Sequence, residues 1–240
     1  MKIKGGFHSF IAFLLGGVCL SAVGCKSYDD IAAHYSSKHI RDNTNKVIAQ
    51  VPETDELAYI VFSLTDVGAN DTTYLNSSSD YYKEVVKQFA PFKNHKAVKQ
   101  LNIDISRDSK NFIHFRNGIY AFTLNERNNF VSKSDYRTDL NRIDFRRYAS
   151  LLEDFASKSN FRKFYTQHKG LYNQIILDAG KELSVDAAWA SVSKNYKQPF
   201  TSYQLILSPL IKGKSTTLAI KSGDFRECLI FAQSSSNALR

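Results

Sequence analysis

The chain has 240 residues, 43% of them hydrophobic, with 13 Tyr and 17 Phe; this supports one good core or two small ones and excludes an intrinsically disordered chain. Its formal charge of +9 raises a nucleic-acid or an anionic membrane surface as partner. Over residues 137–147, however, Arg137, Arg142, Arg146 and Arg147 are interleaved with Asp139 and Asp144, the pattern of a solvated helix face and not of a nucleic-acid-binding patch.

Residues 1–9 hold Lys2 and Lys4 and no acid, and residues 10–23 carry no charge. A basic start before a short apolar run has the shape of a secretory signal. The run is short for a bilayer span, which needs roughly 20 apolar residues. It closes on Ala22-Val23-Gly24-Cys25, which resembles a bacterial lipoprotein signal. That resemblance implies a signal peptide over residues 1–24 and lipid attachment at Cys25, by which the mature N-terminus is anchored in the membrane. Ala22 departs from the Leu usual three positions before the cysteine, and an ordinary cleaved signal or an uncleaved, tilted helix are the alternatives. By resemblance to Gram-negative lipoproteins, Lys26 after the cysteine, in place of Asp, implies the outer membrane of a bacterial envelope, periplasmic or surface-exposed. Export argues against a nucleic-acid partner. Cys19 leaves with the leader and Cys25 is acylated, so Cys228 stands alone, with no internal disulfide, as a small buried hydrophobe in Cys-Leu-Ile-Phe-Ala.

Residues 25–45 are polar and read as a tether, and residues 46–240 as a single domain, helical over 52–196 with strands at about 203–232. Residues 46–51 alternate as a first strand, ended by Pro52, which can open a helix. Leu57, Ile60, Val61 and Leu64 then mark one helical face, and residues 68–79 a loop. Asp80 caps a helix bearing Tyr81, Tyr82, Val85, Val86 and Phe89. Asn94 caps another bearing Ala97, Val98, Leu101 and Ile105, and residues 108–110 break the pattern. Residues 112–124 read as a buried helix in their second half, and residues 125–139 as a polar loop anchored by Phe130 and Tyr136. Phe145, Tyr148, Leu151, Leu152 and Phe155 mark a helix. One long helix then runs from Phe161 to Leu183, bent at Gly170, and a shorter one near residues 186–196 carries Trp189. Short β-rich runs at 203–207, 216–220 and 226–231, spaced by Gly213 and Gly223, predict a small C-terminal sheet. The expected fold class is α+β, with the helices packed at one side of the sheet.

Catalytic motifs do not emerge. None of His8, His34, His39, His95, His114 and His168 sits in H-E-x-x-H, and no Cys/His spacing suits zinc. His34 and His39 fall in the expected tether at a spacing wrong for one helical face. There is no G-x-S-x-G and no phosphate-cradling glycine loop. His168, on an apolar face, reads as a satisfied core histidine. His95, in the first turn of its helix, is the one candidate ligand-binding residue, with a structural role the stronger reading. Glu153 and Asp154 are adjacent and do not form a catalytic carboxylate pair. No catalytic residue, metal ligand or cofactor is expected.

Several stretches together carry a family resemblance: Glu56-Leu57 with Ile60-Val61 and Leu64, Tyr81-Tyr82-Lys83-Glu84-Val85, Phe92-Lys93-Asn94-His95-Lys96-Ala97-Val98, Phe155-Ala156 through Asn160-Phe161 with Phe164 and Tyr172, and Tyr203-Gln204-Leu205-Ile206-Leu207-Ser208-Pro209-Leu210. In order and spacing, over about residues 46–231, this resembles a secreted Bacteroidetes-type lipoprotein family of unknown function whose longer members look like zincin metallopeptidases. In those members a helix bearing H-E-x-x-H follows the strand that residues 227–232 resemble. Here residues 233–240 match neither the zinc ligands nor the base. The resemblance implies a membrane-anchored, non-catalytic or truncated relative that binds a peptide or an envelope protein. The alternatives are a metallopeptidase whose catalytic segment is missing and a purely structural envelope lipoprotein. It also implies uncovered apolar sheet surface around Leu205, Leu207, Leu229 and Phe231, available to a partner.

Overall fold

The computed structural model describes residues 31–132, 135–136, 145–181, 183–213 and 216–234. The leader, Cys25 and residues 137–144 of the mixed-charge stretch lie outside the described residues. In chain order the elements are β1 (Ile31–His34), α1 (Ser37–Asn43), β2 (Lys46–Gln50), α2 (Glu53–Ser63), α3 (Asp66–Ala69), α4 (Asp80–Phe89), α5 (Lys96–Arg107), α6 (Asn111–Ile119), β3 (Phe122–Leu124), β4 (Phe130–Ser132) and β5 (Asp135–Tyr136). They continue with α7 (Ala149–Lys158), α8 (Phe161–Gln167), α9 (Lys169–Gly180), α10 (Val185–Val192), β6 (Ser202–Ser208), β7 (Thr216–Ser222) and β8 (Phe225–Gln233).

The fold is α+β. A six-stranded sheet of order β2-β6-β8-β7-β1-β5 runs through the molecule. β2, β6 and β8 are parallel, β7 is antiparallel to β8, and β1 is parallel to β7. The β7–β8 hairpin turns on Gly223 at φ +60° between the paired Ser222 and Phe225; that conformation suits a residue without Cβ. The expected sheet was small and C-terminal. The N-terminal strands enlarge it, and residues 31–43, read as tether, supply one of them together with a helix. Ile31 and Ala32 pair with Ile220 and Lys221, so the fold begins well before residue 46.

Helices cover both faces, not one. On the first face Arg116 of α6 lies 3.6 Å over the Phe231 ring and donates to Thr216 Oγ1 at 2.6 Å. On the other, Tyr196 beyond α10 bonds Thr217 Oγ1 at 3.0 Å, and Phe200 packs edge-on against Tyr203. The two threonines are neighbours in one strand and so point oppositely. This double cover overturns the expectation of bare apolar sheet: Leu205, Leu207, Leu229 and Phe231 are all buried, at 1% exposure or less.

Helix α2 is the hub of the first layer. Residues 54–63 are all buried, Asp55 and Glu56 included, so the helix is enclosed on every side and not along a single stripe. Its hydrophobic side chains each contribute about 1.5–3 kcal/mol through removal from water. α4 and α5 behave as amphipathic helices should, burying Tyr81, Val85 and Phe89, and Ala97, Val98, Leu101 and Ile105. Their caps fall one residue away from expectation: Ser79 Oγ accepts from Tyr82 N at 3.0 Å, and His95, not Asn94, caps α5.

Three local expectations change. In residues 112–124 the helix occupies the first half; its second half becomes β3, which pairs with β4 to make a hairpin inside the stretch read as loop. Asn125 Oδ1 holds that turn by accepting from Arg127 N and Asn129 N, with Asn128 at φ 60°. The long helix from Phe161 is two helices. The break falls at His168 and not at Gly170, and the apolar phase continues across it.

Candidate functional site

The alternation of β8 places Glu227, Leu229 and Phe231 on one face of the sheet. Register then sets Ser202 of β6 opposite Glu227, Gln204 opposite Leu229 and, on β2, Ile48 opposite Gln204. A polar row therefore runs across an otherwise apolar surface, with Glu227 fully buried within it. A buried carboxylate is tolerated only if hydrogen bonds replace its water. Its Oε2 accepts from Tyr35 Oη at 2.8 Å and Tyr120 Oη at 2.9 Å. Its Oε1 accepts from Gln204 Nε2 at 3.1 Å and Ser202 Oγ at 3.3 Å, and faces His39 Nε2 at 3.2 Å. Burial alone would raise the carboxyl's pKa, but the hydrogen bond and charge of His39, with the Tyr35 and Tyr120 hydroxyls, outweigh it and hold the group below its ordinary range.

Local structure at the N-terminus brings the donors in. Ser36 caps α1 by accepting from His39 N at 3.1 Å, which fixes His39 in the first turn. His39 and Asn43 are four apart and share a helix face. Asn43 Nδ2 donates to His39 O at 2.7 Å, and Asn43 Oδ1 accepts from Gln204 Nε2 at 3.0 Å. The Tyr35 ring stacks on His39 at 4.3 Å and 12°, and both meet the Phe225 ring edge-on. Tyr120 arrives from the C-terminal end of α6. Gln50 completes the chain by donating to Gln204 Oε1 at 3.1 Å.

Against this row lies a half-open cavity of about 310 Å³ lined by Tyr35, His39, Asn43, Ile48, Gln50, Tyr120 and Gln204. That is the lower end of the roughly 300–1,000 Å³ range of small-molecule clefts. Glu227 is the floor beneath the wall and does not itself line the space. A cavity with rigid, mutually bonded polar walls is preorganised to bind a small polar group.

A second buried carboxyl is enclosed. Glu56 Oε1 accepts from Tyr81 Oη at 2.8 Å, and that hydroxyl lies 2.5 Å from Tyr172 Oη. Burial raises the Glu56 pKa to about 7, against the lowering effect of Ser208 and Tyr81. It ties α2, α4 and α9 together.

The histidine singled out in the sequence is hydrogen-bonded through both ring nitrogens. His95 Nδ1 accepts from Ala97 N at 3.2 Å as the cap of α5, so its Nε2 carries the proton it donates to Asp154 Oδ2 at 2.9 Å. His168 is likewise held, by Phe164 O at 2.9 Å and Glu84 Oε2 at 3.2 Å. Cys228 is buried, and the Glu153 and Asp154 carboxylates point to different partners, Phe130 N and His95. The residues that do assemble, Tyr35, His39, Asn43, Gln50, Tyr120, Gln204 and Glu227, were not singled out. The available signal was Glu227 itself, a lone acid in an apolar β run.

No protein-family model matches the chain, and neither a curated protein nor a solved structure matches it. Among the described residues no group of three or more His, Cys, Asp or Glu side chains is placed to hold a metal ion; these residues do not fit a zinc centre. No helix among them is long and apolar enough to cross a membrane.

Proposed function

We propose that the protein is an envelope lipoprotein, anchored in the outer membrane through Cys25, whose folded domain is a non-catalytic binding module that engages a peptide or other envelope component at the Tyr35–Gln204 cavity. The single observation that carries the binding reading is the preformed cavity over a hydrogen-bonded, buried Glu227. His39 supports it as well: its Nε2 faces the Glu227 carboxylate and its ring is stacked on Tyr35, which makes it a wall of fixed orientation. The anchor rests on the sequence of residues 1–25. With the N-terminal elements woven into the sheet, the segment available as tether is 26–30, so the domain would sit close to the bilayer surface.

The test has two readouts on the full chain in a Gram-negative host. A clickable palmitate analogue should label the wild type and not Cys25→Ala. A photo-crosslinking amino acid at Ile48, on the cavity wall, should give a discrete adduct in intact membranes that Gln204→Ala weakens. Equal palmitate labelling of both chains sinks the anchor; absence of any Ile48 adduct sinks the binding reading.

A further inference from the structure

We infer that the partner engaged at the Tyr35–Gln204 cavity is an extended peptide, which adds to the open edge of β2 as a further strand and sends one side chain into the cavity. This rests on the binding reading above and adds the class of partner and the way it docks.

The main chain carries the argument. Among the described residues β2 ends the six-stranded sheet, paired on one side only, in parallel with β6. In such a ladder alternate residues turn their N–H and C=O groups to the neighbouring strand, and those between them turn theirs to the open side. Beyond the ladder, the hydrogen bonds of residues 46–50 leave from side chains, Lys46 Nζ to Asp42 O at 2.6 Å and Gln50 Nε2 to Gln204 Oε1 at 3.1 Å. The outward row is therefore unpaired within the described residues, and only another extended main chain carries donors and acceptors at the same spacing.

The edge is also undefended. Sheet edges are commonly blunted by charge, proline, a bulge or brevity. β2 reads Lys46-Val47-Ile48-Ala49-Gln50, with its one charge at its start, and it pairs with β6 in unbroken register. Its residues are exposed or half-buried, whereas every residue of β6 is buried.

The cavity lies where an added strand needs it. Ile48 and Gln50 are two apart, share a face of the sheet and line the space of about 310 Å³. A strand laid beside β2, about 4.8 Å away, presents every second side chain to that same face. One of these enters the cavity and supplies selectivity, while the main-chain bonds supply affinity. β2 runs between α1, which reaches Gln204 through Asn43, and α10 on the opposite face. A second copy pairing through β2 would bring its own α1 and α10 against these helices; a lone peptide strand would not.

Residue-resolved hydrogen exchange of the full chain in non-ionic micelles tests this in two stages. Without peptide, the amides of residues 46–50 should alternate, the outward ones exchanging about tenfold or more faster than those bonded to β6. Heptapeptides selected on the same preparation from a random phage-displayed library should then slow the outward amides, by about the ratio of peptide concentration to Kd. N-methylation of alternate peptide amides should weaken binding about tenfold or more in one phase and be tolerated in the other, because one edge of the peptide faces β2 and the other faces water. Uniformly slow amides in the free chain, no enriched peptide, binding that leaves β2 exchange unchanged, or equal loss in both methylation phases overturns the inference. So does protection that rises with protein concentration in the absence of peptide, the mark of a second copy on the edge. The Ile48 adduct decides the cavity reading separately: an adduct without protection of β2 keeps the cavity and removes the strand.

Discussion

Glu227→Gln is the most informative perturbation of the fold. The substitution keeps shape and one carbonyl oxygen, so Gln204, Ser202 and His39 retain their acceptor, but the new amide replaces Oε2 opposite the Tyr35 and Tyr120 hydroxyls at 2.8 and 2.9 Å. Two hydrogen bonds to a charged acceptor are lost, each worth about 1.5 kcal/mol at the lower end of their range, for a total of about 3 kcal/mol. The carboxyl's folded-state pKa lies below its ordinary value of 4.5. Its stabilising contribution is therefore present above pH 4.5 and is lost as the pH falls through the folded-state value. Urea denaturation of wild type and variant should show a gap of about 3 kcal/mol at pH 7 that narrows below pH 4.5. A gap under about 0.5 kcal/mol at pH 7, or one that widens in acid, would refute the reasoning.

Glu56 should behave oppositely. Its folded-state pKa is raised from 4.5 to about 7, so ionisation costs stability as the pH rises above 4.5, and Glu56→Gln should be more stable than wild type at pH 8 by roughly 1–3 kcal/mol, with little difference at pH 4. His95→Ala should lower stability by about 1–2 kcal/mol through loss of the α5 cap and the Asp154 bond, and leave the Ile48 crosslink at the cavity unchanged. Gly118→Ala should cost about 1–3 kcal/mol in thermal or urea unfolding, because the added Cβ would stand 2.5 Å from Phe145 Cβ, too close to the neighbouring chain to relax by rotamer alone.

The legibility of the chain follows the range of its interactions. Ala97, Val98, Leu101 and Ile105 were readable because one helix face meets the core with a 3.6 period. Lys46–Gln50 was readable as a strand ended by Pro52. The break at His168 was not, because the apolar phase passes through it intact. Residues 31–43 were misread because β1 is short, buries only Ala33, and owes its existence to pairing with β7, almost the whole chain away. The same distance hid the site: Tyr35, Tyr120, Gln204 and Glu227 come from four separate segments, and no local spacing joins them. His39 was dismissed with the tether that contained it. The one local cue is Glu227, the single acid of β8.

The account depends most on one claim: the space beside Gln204 is open to small molecules. Ile48→Cys puts a thiol on its wall, while Cys228 is buried and serves as an internal silent control. Modification rates by the ethylammonium and ethylsulfonate methanethiosulfonates should be measured on this variant and normalised to the exposed Ile103→Cys. Labelling at position 48 by both reagents, with Cys228 unlabelled, is the predicted result. No labelling of the Ile48→Cys variant by either reagent, under conditions that label Ile103→Cys, would contradict it.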